Sequence, residues 1–152
     1  MNPEPLNSTQ EKITAISSRT TKPRRRGSWR IAKDLPTSFY YAFQGISYGF
    51  LSQRNFRFQV FVGAIVLLMG MLLELNAIKM AMIILTISLV LILELINTAI
   101  EATVDLAIGR RFHPLAKIAK DCSAAAVLIA SLGSVLLALI LLGPPLLALL
   151  AL

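Results

Sequence analysis

Among 152 residues the chain has a single cysteine, Cys122, and a single histidine, His113. One cysteine closes no intramolecular disulfide, and one histidine without cysteines at ligand spacing builds no zinc site. Acidic residues are also scarce, eight against fifteen lysines and arginines. Neither G-x-x-x-x-G-K-[ST] nor G-x-G-x-x-G occurs, so nucleotide binding through a soluble phosphate-loop fold has no support in the chain. The first thirty-five residues lack a continuous apolar h-region, which argues against a secretory signal and for insertion by the chain's own spans. Apolar residues, in contrast, are abundant: 56% of the chain is hydrophobic and the mean hydropathy is positive. This composition predicts a small integral membrane protein with room for one domain.

The charge and hydropathy patterns divide the chain. Residues 1–35 are rich in Ser, Thr, Pro and Arg, with Lys22-Pro23-Arg24-Arg25-Arg26 at the centre, and are expected to form a disordered basic tail. Such a tail beside a membrane attracts anionic head groups and helps set topology, and no nucleic-acid partner is expected. From 36 to 53, Phe39, Phe43, Ile46 and Phe50 recur at helical spacing, with Ser38, Gln44, Ser47 and Gln53 on other faces. An amphipathic helix on the membrane surface is expected there.

Three spans should follow, at about 56–75, 78–106 and 120–142. The first is built on the charge-free run Phe58 to Leu73. The second contains only fourteen continuous apolar residues, Met80 to Leu93, so a helix of about 20 residues must take in Glu94, Asn97 and Ile100 to cross. The third, Cys122 to Leu142, is charge-free and should stop at Gly143-Pro144-Pro145, leaving 146–152 as an apolar tail. The expected fold is all-α, with three transmembrane helices preceded by a surface helix. Ten of the fifteen basic residues precede Phe58 and four lie between Arg110 and Lys120, whereas the link between the first two spans has only Lys79. The positive-inside rule then puts the amino terminus and the second loop in the cytoplasm of a multi-pass protein of the plasma membrane.

The most telling segment lies in the second span. Glu94, Asn97, Glu101 and Asp105 follow one another at three, four and four residues, which projects all of them from one narrow helix stripe. A charged side chain at mid-membrane depth costs about 2.5–3.5 kcal/mol on insertion scales, so three carboxylates on one face call for a partner, a metal or a reaction. Interhelical hydrogen bonding would account for Asn97 and Thr98, but not for three acids. With Lys117, Lys120 and Asp121 at the start of the third span and Arg54 and Arg57 at the start of the first, acidic and basic groups converge on one membrane face. This combination suits a magnesium-bridged polyphosphate, because Mg²⁺ takes carboxylate, phosphate and water oxygens while lysine offers phosphates a compact positive charge.

Over about Ser38 to Leu142 the chain resembles the prokaryotic family of diacylglycerol and undecaprenol kinases, small three-span lipid kinases. The segments that carry the resemblance are Phe43-Gln44-Gly45-Ile46, Arg54-Asn55-Phe56-Arg57, Glu94-Leu95-Ile96-Asn97-Thr98-Ala99-Ile100-Glu101 with Asp105, His113-Pro114-Leu115-Ala116-Lys117 and Ala119-Lys120-Asp121. The resemblance implies transfer of the ATP γ-phosphate to a membrane lipid alcohol by a homotrimer whose sites are shared between subunits, with Mg²⁺ as cofactor and membrane lipids as surroundings. It implies Glu94 as general base, Glu101 as a magnesium ligand, Asn97 and Asp105 as orienting groups, and Lys120, Asp121, Arg57 and Lys117 at the nucleotide. Gln53 stands where most members carry a glutamate as second metal ligand, and Gln59 where some carry an acid or a histidine. The alcohol stays open between diacylglycerol and undecaprenol, with the His-Pro-Leu-Ala-Lys and Arg-Asn-Phe-Arg segments nearer the undecaprenol branch.

Two other readings compete. An inactive scaffold would keep the fold and lose the chemistry, with Gln53 as the first sign. An ion-translocating subunit also keeps intramembrane acids, but typically as one isolated carboxylate rather than a ladder running out to lysines and arginines. For the remaining polar and small residues, His113 is expected to cap a helix, and Cys122, Ser123, Ser131 and Gly133 to serve packing.

Overall fold

The computed structural model describes residues 35–109 and 111–151, so the expected basic tail lies outside the described residues apart from Leu35. The chain divides into two compact units after Phe39. Of the first, only residues 35–39, the opening turns of a helix, are described; the second holds the remainder of that helix and the three helices after it. Four helices account for nearly all of the described residues: α1 Leu35–Ser52, α2 Arg54–Leu72, α3 Ala77–Ile108 and α4 Pro114–Leu150. The last three are long and apolar enough to cross a membrane.

Each junction has a local cause. α1 and α2 are separated by Gln53 alone, whose extended backbone (φ −101°, ψ 113°) breaks the helix without a side-chain cap. The Arg57 guanidinium reaches back across the break and donates to the carbonyls of Leu51 at 3.0 Å and Phe50 at 3.5 Å, supplying the end of α1 with donors its own helix lacks. α2 ends in a Schellman turn: Glu74 N–H donates to Met71 O at 3.1 Å and Leu75 N–H to Gly70 O at 3.0 Å, with Glu74 itself left-handed at φ 51°. This turn closes α2 three residues before the expected end at 75. Asn76 then caps α3, its side chain accepting from Lys79 N–H at 3.0 Å. Gly109, at φ 61°, ends α3. His113 starts α4, its Nδ1 accepting from Leu115 N–H at 3.2 Å, with Pro114 at the first helical position where a missing N–H is harmless.

α4 corrects the sequence expectation. It runs through Pro144 and Pro145 to Leu150 instead of stopping at Gly143. Two prolines leave the carbonyls of Ile140 and Leu141 without their usual donors. Residues 146–150 have no polar side chain with which to leave the helix, and in an apolar surrounding a helical backbone is the form that satisfies its own hydrogen bonds. Just before the prolines, Leu141 and Leu142 pack with Ile83 into the core, supported by Val66, Leu67, Leu75, Met80, Ile87 and Leu137. Packing thus fixes the helix immediately ahead of the break.

The core joins the C-terminal half of α2, the N-terminal half of α3 and the C-terminal half of α4, which makes neighbouring helices antiparallel. α3 and α4, at 32 and 37 residues, measure about 48 and 55 Å, well beyond the ~30 Å hydrocarbon core, so part of each helix extends past it. The three acidic residues of α3, Glu94, Glu101 and Asp105, all lie in the half that leads to the α3–α4 loop. α2 comes close to α3 at Gly63, where a Cβ would lie 2.9 Å from Ile87 Cγ2. Isoleucine is β-branched and cannot swing away, so Gly63→Val is expected to destabilise the bundle by about 1–3 kcal/mol, read as a lower midpoint of thermal unfolding in detergent. An unchanged midpoint would refute the close approach.

Candidate active site

The stripe on α3 is buried in a gradient. Glu94 is 3% exposed, Asn97 and Glu101 are half-buried, and Asp105 is exposed. Helical spacing produces this: the four residues share a face, and the face turns from the packed interior toward the α3–α4 loop as the helix emerges.

Each member has partners. Gln59 on α2 donates from Nε2 toward Glu94 Oε2 at 3.5 Å, a long contact, and its own Oε1 is buried with no hydrogen-bond partner among the described residues. Asn97 Nδ2 donates to Glu101 Oε1 at 3.1 Å, one turn along the same helix. Across the interface Ser123 of α4 donates to Asn97 Oδ1 at 2.7 Å and lies 2.9 Å from the carbonyl oxygen of Lys120. Lys120 pairs with Asp105, joining α4 to α3, and Lys117 pairs with Asp121 one turn along α4. Two of these contacts, Ser123 with Asn97 and Lys120 with Asp105, join α3 to α4, and the Gln59 contact joins Glu94 to α2.

The structure puts Glu94, Asn97, Glu101 and Asp105 on one face of α3 and pairs Asp105 with Lys120 of α4. It does not draw Arg57, Lys117 and Asp121 onto one point: Arg57 is occupied at the end of α1, and Lys117 and Asp121 hold each other. Gln53, the cap of α2, makes no side-chain cap hydrogen bond. Two residues escape the sequence reading. Gln59 is an amide within an apolar span, and such a group requires a partner. Ser123, assigned to packing, sits three residues after Lys120 on the same face of α4 and is 8% exposed. Cys122, also assigned to packing, is exposed.

Below the polar end, α2, α3 and α4 enclose a cavity of about 240 Å³. Its wall is mainly apolar, with Phe58, Val62, Ile87 and Val90, and polar groups enter from Asn55, Gln59, Thr86, Ser131 and Ser134. Gln59 lines this cavity and also contacts Glu94, which itself is not part of the wall.

All donors here are oxygens or amides, and the carboxylates of Glu94 and Glu101 share one face with Asn97 between them. Among the described residues no group of three or more His, Cys, Asp and Glu converges. The set fits a hard ion such as Mg²⁺ that takes one or two carboxylates and completes its shell with phosphate oxygens and water, rather than one caged wholly by protein.

Known proteins are similar to this chain in sequence. The family model described as prokaryotic diacylglycerol kinase matches residues 40–142, the stretch holding the larger part of α1, the whole of α2 and α3, and α4 as far as Leu142. A diacylglycerol kinase of Synechocystis is 49% identical over 137 residues, covering 90% of this chain and 78% of that one. An undecaprenol kinase of Bacillus subtilis is 43% identical over 109 residues, 72% of this chain and 88% of that one. A diacylglycerol kinase of Escherichia coli is 35% identical over 96 residues, 63% of this chain and 78% of that one. With a polar α3 stripe matched by α4 partners, three membrane-length helices and similarity of this extent, the chain belongs to the prokaryotic diacylglycerol kinase family.

Proposed function

We propose that this lipid kinase transfers the γ-phosphate of ATP to the hydroxyl of a membrane lipid alcohol, diacylglycerol or undecaprenol, with Glu94 as the base. The observation that carries the reading is a carboxylate 3% exposed, linked through Gln59 to a largely apolar cavity, at the buried end of a polar row that reaches solvent at Asp105. A lipid alcohol has the same polarity profile: one hydroxyl on a long apolar body. Phosphoryl transfer asks little of the protein beyond alignment, charge neutralisation and removal of the hydroxyl proton.

In this reading the substrate hydroxyl meets Glu94, which takes its proton as the oxygen attacks phosphorus. Gln59 keeps one carboxylate oxygen of Glu94 engaged so that the other faces the substrate. Glu101, aimed by Asn97, would hold Mg²⁺ together with Gln53, and the ion would neutralise charge on the phosphate oxygens. Lys120 exchanges Asp105 for the nucleotide's phosphates, with Lys117, Asp121 and Arg57 at the rim. The apolar faces left exposed on α2, α3 and α4 are available to lipid and to further copies of the chain, which supports a homotrimer. The distribution of basic residues supports a plasma-membrane protein whose amino terminus and second loop are cytoplasmic.

The test is chemical identification of the product. Vesicles containing both alcohols, incubated with the purified protein and Mg-ATP, are expected to yield phosphatidic acid or undecaprenyl phosphate by mass spectrometry. Absence of both products would refute the proposal. Gln53→Glu gives a further check. An amide brings no negative charge to a metal, so restoring the carboxylate is expected to lower the Mg²⁺ concentration for half-maximal rate, and an unchanged Mg²⁺ titration would remove Gln53 from the metal site.

A further inference from the structure

The hydrogen bonds around Asn97 run in one direction. Ser123 Oγ lies 2.7 Å from Asn97 Oδ1, and Asn97 Nδ2 lies 3.1 Å from Glu101 Oε1. Only one orientation of the amide satisfies both neighbours. An ionised carboxylate accepts and never donates, so Nδ2 must face Glu101, which leaves Oδ1 toward α4 in need of a donor. Ser123 is 8% exposed and supplies it. If the amide turned over, Oδ1 would oppose Glu101 Oε1, acceptor against acceptor. Ser123 could tolerate that by accepting from Nδ2 and sending its own proton to the Lys120 carbonyl, 2.9 Å away, but Glu101 could not.

We propose that Ser123 is a positioning residue for Glu101, acting through Asn97: with the amide orientation set by Glu101, the Ser123 hydroxyl donates to Oδ1 and braces the amide, so that the carboxylate of α3 is held at a fixed rotamer from α4. Ser123 stands three residues after Lys120 on α4, so this brace also sets the acidic stripe of α3 in register with the turn bearing Lys120. This rests on the reading of Glu101 as a ligand of the divalent cation. Removal of a hydrogen-bonding group behind a ligand typically weakens metal affinity or activity by about 10–100-fold.

The test compares Ser123→Ala with Ser123→Thr, which keeps the hydroxyl, in the full-length protein in detergent. Binding of Mn²⁺ in the presence of a non-hydrolysable ATP analogue is followed by loss of the free-ion EPR signal, which requires no turnover, and the Mg²⁺ dependence of initial rate is measured alongside. Ser123→Ala is expected to weaken Mn²⁺ binding and raise the half-saturating Mg²⁺ concentration about 10-fold, leaving the KM for lipid unchanged, and Ser123→Thr is expected to restore both. A role in packing alone would lower stability without moving either metal readout. A folded alanine variant with unchanged Mn²⁺ affinity, or a folded threonine variant as defective as alanine, would overturn the proposal. Should the alanine variant not fold, Ser123→Cys, with a similar volume and a weaker donor, is expected to shift Mn²⁺ binding in the same direction by a smaller factor, and unchanged binding there would equally overturn it. Glu101→Gln separates the metal role of Glu101 from the positioning role of Ser123: if it fails to weaken Mn²⁺ binding, the metal reading falls and the role of Ser123 with it, whereas a weakened Glu101→Gln beside an intact Ser123→Ala removes Ser123 alone.

Discussion

Glu94→Gln is expected to lower kcat for lipid phosphorylation by about 10²–10⁴-fold, the range contributed by a positioned general base. Fold and nucleotide affinity should survive, because the replacement has the same shape and its carbonyl oxygen can still accept from Gln59 Nε2, which lies 3.5 Å from the Glu94 carboxylate. Glu94 is 3% exposed, and exchanging a buried charge for a neutral amide removes a desolvation penalty, so the variant should unfold no earlier than the parent. The two effects therefore move apart: activity falls steeply while stability holds or rises. If Glu94 only bonded helices together, activity would instead track stability. Initial rates at saturating lipid and ATP, paired with thermal midpoints of the same samples, distinguish the cases. A rate within a few-fold of the parent would remove Glu94 from the chemistry.

The second large effect is expected at Glu101. Glu101→Gln keeps an oxygen to accept from Asn97 Nδ2, now 3.1 Å from the carboxylate, and takes away the charge. Charge stabilisation by a bound metal is worth several kcal/mol, and each 1.36 kcal/mol is tenfold in rate, so a loss of about 10²-fold or more is expected. Raising Mg²⁺ should recover part of it, which distinguishes this variant from Glu94→Gln, whose defect no metal concentration repairs. A Mg²⁺ titration of both variants measures the difference, and an unshifted titration for Glu101→Gln would place the metal elsewhere.

How much of this is legible in the chain depends on the residue. The α3 stripe is fully legible, because helical spacing aligns Glu94, Asn97, Glu101 and Asp105 whatever surrounds them, and acids in an apolar run are too costly to be incidental. The order of the helices follows from hydropathy, and the caps at Asn76 and His113 from residue type. The end of α4 is not legible, since the rule that prolines stop helices assumes water to receive the chain, and residues 146–150 offer it nothing polar. The end of α2 is hidden too, because a left-handed Glu74 occupies a position that usually signals itself with glycine. The contacts of Arg57 are not legible either: sequence shows a cation near the start of α2, and the structure has its guanidinium on the carbonyls at the end of α1. Gln59 and Ser123 depend on the register of α2 and α4 against α3, which periodicity within one helix cannot supply.

The central claim is that the polar end of α3 and α4 directs the γ-phosphate to a lipid hydroxyl instead of to water. Its most direct measurement is a single-turnover reaction of the purified protein with γ-labelled ATP in micelles of lipid alcohol, quenched and partitioned between organic and aqueous phases. The account predicts that the label lost from ATP appears in a phospholipid in equal amount to the ADP formed. Label released as inorganic phosphate, or retained in ATP with lipid and Mg²⁺ both saturating, would contradict it.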